Sequence, residues 1–204
     1  MGIQRRPVQK SRKRSSLAYP LHLGFMTGVN FGFAEADPQQ DGATRNAITL
    51  GVSLEKRLGR TFFFQPELSL VQRGVKTEVI QISDFGVNGD VKLDYLELTA
   101  LFKIKSALSS QRLKLFFGLG PVAAVALSRQ VEVLGLVDVE VRDRFQSSDL
   151  MVVGATGLEY DFSPTSSIVG QFRYHYGLID IDQTENTFRT RGFQLLLGFQ
   201  FALN

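Results

Sequence analysis

The chain has 204 residues, 44% hydrophobic and 21% charged, with 17 Phe, 19 Gly and neither Cys nor Trp. That length suits one domain better than two, and the lack of cysteine excludes disulfides, thiolate metal sites and cysteine nucleophiles. Of the 23 basic residues, Arg5, Arg6, Lys10, Arg12, Lys13 and Arg14 fall in residues 1–20, which hold no acid; the other 17 bases face 20 acids, a net −3, so the basicity belongs to a tail and does not make the fold a nucleic-acid binder.

That tail comes first in the chain. A secretory signal needs a basic start followed by roughly 7–15 apolar residues, and here only Leu17, Ala18 and Tyr19 precede Pro20. Residues 1–20 therefore read as a basic, disordered segment, and residues 21–204 as the domain.

No stretch shows sustained apolar recurrence at helical spacing, and none approaches the roughly 20 apolar residues of a spanning helix. Alternation with period two recurs instead. The first predicted strand, 21–33, sets Leu21, Leu23, Phe25, Thr27, Val29, Phe31 and Phe33 against His22, Gly24, Met26, Gly28, Asn30 and Gly32. The second, 46–58, sets Ile48, Leu50, Val52 and Leu54 against Thr49, Gly51, Ser53 and Glu55. The third, 61–73, sets Phe62, Phe64, Pro66, Leu68 and Leu70 against Phe63, Gln65, Glu67, Ser69 and Val71. The fourth, 91–105, opposes Leu96, Leu98, Ala100, Phe102 and Ile104 to Tyr95, Glu97, Thr99, Leu101 and Lys103. The fifth, 112–127, opposes Leu113, Leu115, Phe117 and Leu119 to Lys114, Phe116, Gly118 and Gly120. In the sixth, 148–162, Leu150, Val152, Leu158, Tyr160 and Phe162 oppose Met151, Gly157, Glu159 and Asp161; in the seventh, 167–179, Ile168, Phe172, Tyr174, Tyr176 and Leu178 oppose Gln171, Arg173, His175 and Gly177. The eighth, 191–204, sets Phe193, Leu195, Leu197, Phe199 and Phe201 against Gln194, Leu196, Gly198, Gln200 and Ala202.

Connections alternate short and long: 59–60, 106–111 and 163–166 against 34–45, 74–90, 128–147 and 180–190. An up-and-down meander with one trimmed and one elaborated end has this pattern, and outer-membrane barrels have short periplasmic turns and longer external loops. The expected fold is all-β, an eight-stranded antiparallel up-and-down transmembrane β-barrel. A soluble lipocalin-like barrel binding a small apolar ligand alternates too, with its apolar row inside. The weaker row decides between them. It is rich in Gly and Ala, which suits a narrow interior, and the opposite row is apolar without a central charge, as a lipid face requires. The inner row then carries Glu55, Glu67, Glu97, Lys103, Lys114, Glu159 and Arg173. Buried charges need partners, so a paired network plugging the lumen is expected. Tyr160, Tyr174 and Tyr176 suit interfacial girdles.

Several short segments carry a family likeness: Gly24-Phe25-Met26-Thr27-Gly28-Val29-Asn30-Phe31, Phe64-Gln65-Pro66-Glu67-Leu68 followed by Gln72-Arg73-Gly74, Tyr95-Leu96-Glu97-Leu98, and Phe117-Gly118-Leu119-Gly120-Pro121. With these the chain resembles the Bacteroidetes outer-membrane protein β-barrel domain family, the PorT-like group, over residues 21–203. Where that family pattern often has Pro after Tyr-Leu-Glu-Leu, this chain has Thr99. The resemblance implies a place in the bacterial outer membrane, without carrying over the secretion role of PorT itself.

Chemistry-bearing residues read as structural. His22 belongs at the trimmed end and His175 well up the seventh strand, too far apart to act together. Ser69 and Ser167 lack a base at readable spacing, and Glu67 with Glu97 reads as part of the lumen network. Asp180, Asp182 and Glu185 read as solvated loop acids, and Asp138, Glu140, Arg142, Asp143 and Arg144 as a mixed-charge loop that could face lipopolysaccharide or a partner. The expectation is an integral outer-membrane barrel, monomeric and in contact with outer-membrane lipid. It acts in structure, binding, assembly or secretion support through external loops that meet lipopolysaccharide or envelope proteins. It has no catalytic residue, metal, cofactor or nucleic-acid partner.

Overall fold

The structure is a computed structural model that describes residues 20–36, 43–44, 46–82, 85–108, 111–133, 137–140, 148–178 and 188–203. Among the described residues there are ten strands: β1 Leu21–Ala36, β2 Ala43–Thr44, β3 Asn46–Arg57, β4 Phe62–Ile82, β5 Phe85–Ala107, β6 Leu113–Val133, β7 Val137–Glu140, β8 Ser148–Asp161, β9 Ser166–Gly177 and β10 Phe188–Leu203. Eight of them close a ring in the order β1-β3-β4-β5-β6-β8-β9-β10, every contact antiparallel. The seam is the pairing of first strand with last, from Leu21↔Leu203 to Ala36↔Phe188. The two short strands, β2 and β7, flank β4 and β6 outside this ring.

Register sets the shape. From Leu21, the Cα partners run through Lys56, Phe64, Phe102, Leu119, Gly154, Tyr174 and Phe193 and return to β1 at Phe31, ten residues from the start (31 − 21). A stagger of ten over eight strands, with strands about 4.8 Å apart and a rise of about 3.3 Å per residue, gives a tilt of about 40° and a backbone radius of about 8 Å. That interior has room for side chains and little else. Strands this curved approach closely: a Cβ on Gly28 would lie 1.9 Å from the Leu195 carbonyl oxygen, and one on Gly120 2.0 Å from that of Ala100.

The rows separate as the alternation requires. Leu195, Leu197 and Phe199 are 50, 60 and 43% exposed on the outside, while Gln194, Leu196 and Gln200 are buried inside. The lipocalin-like alternative needed those three apolar residues in the interior, so it falls. β1's outward row from Leu21 to Phe31 climbs about 25 Å at this tilt, the height of a lipid-facing band. Aromatics gather toward its two rims: Phe25 with Phe201 (ring centroids 6.2 Å apart) and Phe162 with Phe199 (5.6 Å) toward the short turns, Phe193 with Phe172 (5.3 Å) and Tyr174 (5.0 Å) toward the loops. Arg191 lies over the Tyr176 ring at 4.9 Å. Tyr160 is exposed at the short-turn end.

One expectation needs correcting. Residues 74–90 and much of 128–147, read as loops, contain strand. β3 and β4 part after Thr49↔Val71, yet β4 and β5 stay paired to Ile82↔Phe85, eleven residues further (82 − 71). At the same tilt this lifts the hairpin roughly 25 Å past the belt. β6 rises beside it and carries β7. Register aligns Val75, Val91, Val131 and Val139 in one row and Lys76, Asp90, Glu132 and Asp138 in the next. In β4, Lys76 is in phase with the lipid-facing Leu68 and Leu70. The apolar row therefore ends where the strand does not, which is why these residues read as loops in the sequence. Residues 1–19, the acids Asp180, Asp182 and Glu185, and Arg142, Asp143 and Arg144 lie outside the described residues.

Candidate functional site: the charged lumen

Inward positions of six strands meet in one network. Glu55 on β3 accepts from Lys103 Nζ at 3.2 Å and from Lys105 Nζ, both on β5. Lys105 also donates to Glu159 on β8. Glu159 pairs with Lys114 on β6 at 2.9 Å, and Lys114 reaches Asp161 at 2.7 Å. Lys103 further donates to Gln65 on β4, whose Nε2 donates to Glu67 Oε1 at 2.6 Å. Arg173 on β9 meets the same Glu67 oxygen at 2.6 Å. Ring faces take up more of the ammonium charge: Lys103 Nζ sits 4.4 Å from the Phe116 centroid and Lys105 Nζ 4.6 Å from that of Phe63.

Six of the seven residues expected in the lumen are therefore joined: Glu55, Glu67, Lys103, Lys114, Glu159 and Arg173. The seventh, Glu97, is buried one register row away, opposite Ser69 and Ala124. Lys105, which joins Glu55 to Glu159, is absent from the residues the sequence pointed to. Its signal was present: it continues the inward row of Leu101 and Lys103, but it stood at the last position of the predicted strand. Gln65, Gln171, Gln194 and Gln200 are also buried inward.

Burial is nearly complete at the centre and partial at one end. The Lys103 side chain is 0% exposed, whereas Lys114 and Asp161 keep 29 and 30%. The network thus opens toward the short turns. Around the loop-side half the lumen has two kinds of wall. Leu101, Val122, Met151 and Val153, on β5, β6 and β8, pack as an apolar cluster. β1, β3, β9 and β10 present Asn30, Thr49, Arg173 and Gln194, with Thr49 Oγ1 donating to Asn30 Oδ1 at 2.8 Å and Asn30 Nδ2 donating to the Gln72 carbonyl at 3.0 Å. Charge inside and hydrocarbon outside are stable in one medium only, a bilayer around a closed wall.

The two histidines stand far apart. His22 pairs in register with Glu55 and Ala202, while His175 pairs with Gly192, whose own partner is Gly32, ten residues beyond His22 on β1 (32 − 22). Among the described residues no group of three or more His, Cys, Asp or Glu is placed to hold a metal ion.

Comparison with known proteins agrees with this geometry. The family model of the outer membrane protein beta-barrel domain matches residues 8–183. The chain belongs to that family. Membership in the outer membrane protein beta-barrel domain family places it in the bacterial outer membrane. Among solved structures it is similar to Neisserial surface protein A, NspA, with a TM-score of 0.55 at 16% identity over 90% of this chain and 97% of that one. It is also similar to the outer membrane protein OprG from Pseudomonas aeruginosa, with a TM-score of 0.56 at 11% identity over 92% and 97%. At these identities the likeness is one of fold. No curated protein matches the sequence.

Proposed function

We propose that the protein is a surface-binding barrel: a closed membrane anchor whose extension beyond the lipid belt contacts lipopolysaccharide or an envelope protein. The observation that carries this reading is the unequal length of the strands. β9 has 12 residues and β3 has 12, enough to cross the belt, while β4, β5 and β6 have 21, 23 and 21. Crossing the bilayer takes about 9–11 tilted residues, so the excess builds sheet where only external molecules can meet it.

On this reading the barrel works as a monomer in outer-membrane lipid, without catalytic residue, cofactor or nucleic acid. The cross-linked lumen supports a mechanical part, because six strands are tied through their side chains as well as their backbones. Its affiliation within the family is with the PorT-like Bacteroidetes barrels, on the motifs at 24–31, 64–68, 95–98 and 117–121.

A photo-crosslinking residue placed at position 90 or 132 tests this in intact cells. Each is expected to yield an adduct with lipopolysaccharide or one discrete envelope protein, while position 54, on the belt, yields only phospholipid. Absence of any discrete adduct from both extension positions would remove the proposal.

A further inference from the structure

Two ion-pair bridges cross the full width of the barrel. In the ring order, β3 and β8 are four strands apart, and so are β4 and β9. Lys105 joins Glu55 on β3 to Glu159 on β8, and Arg173 on β9 meets Glu67 on β4. These are crossbars over a diameter, not contacts between neighbours.

The crossbars lie in a polar lane that runs most of the length of the lumen. It starts at part-exposed Asp161, which pairs with Ser167; Arg173 stands six residues further up β9 (173 − 167), a climb of about 15 Å at this tilt. From Arg173 the register leads to Gln194 and then to Asn30, which is bonded to the Gln72 carbonyl near the loop-side rim. On the β5, β6 and β8 walls the loop-side half is filled with apolar side chains. Filling alone therefore does not call for charge, since apolar side chains fill as well or better than buried ion pairs.

Midway, the lane has unused hydrogen-bonding capacity. Ser53 Oγ, Glu67 Oε2, Gln171 Oε1 and Arg173 Nε have no hydrogen-bond partner among the described residues. They form one group: Ser53 is the register partner of Glu67, Glu67 is paired with Arg173, and Gln171 is the next inward position on β9. Three of the four atoms are oxygens able to accept.

We propose that this lane is a narrow hydrated path for small monovalent cations, shut at rest by the two crossbars. The unsatisfied acceptor oxygens of Ser53, Glu67 and Gln171 select the sign, and parting of Glu67 from Arg173 and of Lys105 from its two carboxylates opens the way. This rests on the lumen alone and is independent of what the external extension binds.

The test is conductance of the full-length protein, refolded and inserted into planar bilayers under a KCl gradient. Lys105→Ala combined with Arg173→Ala is expected to raise mean conductance about tenfold over the parent, with a reversal potential displaced toward that of K⁺. Because loss of both crossbars threatens folding, Lys105→Met and Arg173→Gln are measured singly, each with folding checked by heat-modifiable gel migration and each expected to give a rise of about threefold. Exchanging partners, Glu67→Arg with Arg173→Glu, restores that crossbar and should return conductance to the parent level. Folded variants that conduct no better than the parent, or that select anions, would overturn the proposal.

Discussion

A charge placed on Leu197 interrogates the assignment of the outer row to lipid. Leu197 is 60% exposed on β10, four residues from Phe193 and six from Leu203 (197 − 193 and 203 − 197), so it stands about 10 Å below one rim and about 15 Å above the other. That is near mid-bilayer. Leu197→Arg should cost about 2–4 kcal/mol, and Leu203→Arg at the short-turn rim about 0–1 kcal/mol. The assay is reversible unfolding in urea from lipid vesicles, following the folded fraction by unheated gel migration. A gradient between the two positions is the required result, since both face outward on the same strand and differ chiefly in depth. Equal cost at both, or a neutral Leu197→Arg, would mean that water and not hydrocarbon bathes this face. The reasoning from exposed Leu and Phe to membrane would then be wrong.

Other expectations concern the interior and the extension. Removing one end of the Glu67–Arg173 crossbar, as Glu67→Ala, should cost about 3–5 kcal/mol, whereas Glu67→Leu with Arg173→Met should be near neutral; urea midpoints of the two variants decide it, and a double variant as weak as the single one contradicts the pairing. Gly28→Ala forces a Cβ onto the Leu195 carbonyl and should lower the yield of folded protein, while the same change at Gly170, where an added Cβ meets nothing within 4 Å, should not; heat-modifiable migration reads both. Cutting residues 75–91 down to a two-residue turn should leave the barrel fully folded by the same gel test, because every ring contact of β3 with β4 lies at or below Val71.

Most of the barrel could be read from residue order because its two environments are extreme. Eight stretches keep Leu, Ile, Val and Phe on one parity, and the structure keeps all eight in that phase. The extension is not legible because its parity means something else: Lys76 continues the positions of Leu68 and Leu70, so the apolar alternation ends where the lipid ends. Lys105 stood at the last position of the predicted fourth strand, where the inward row was followed only as far as Lys103. Which acid meets which base was not legible at all. Lys105 reaches Glu159 across 54 positions of sequence, and what brings them together is the ten-residue stagger, a property of closure that no local pattern encodes.

The seam between β1 and β10 has a consequence for how the molecule comes into being. Leu21 meets Leu203, and Ala36 meets Phe188, so the earliest strand to be synthesised is matched by the latest. Until the final segment arrives, both flanks of the unfinished sheet offer bare amides and carbonyls, and those groups cannot rest against hydrocarbon. Pairing at such separation is also slow, because the whole intervening chain must be gathered first. Insertion and closure are therefore expected to be nearly one event, with the open flanks kept from hydrocarbon until the last strand is in reach. The fourteen or so residues after position 190 act as the key that completes it.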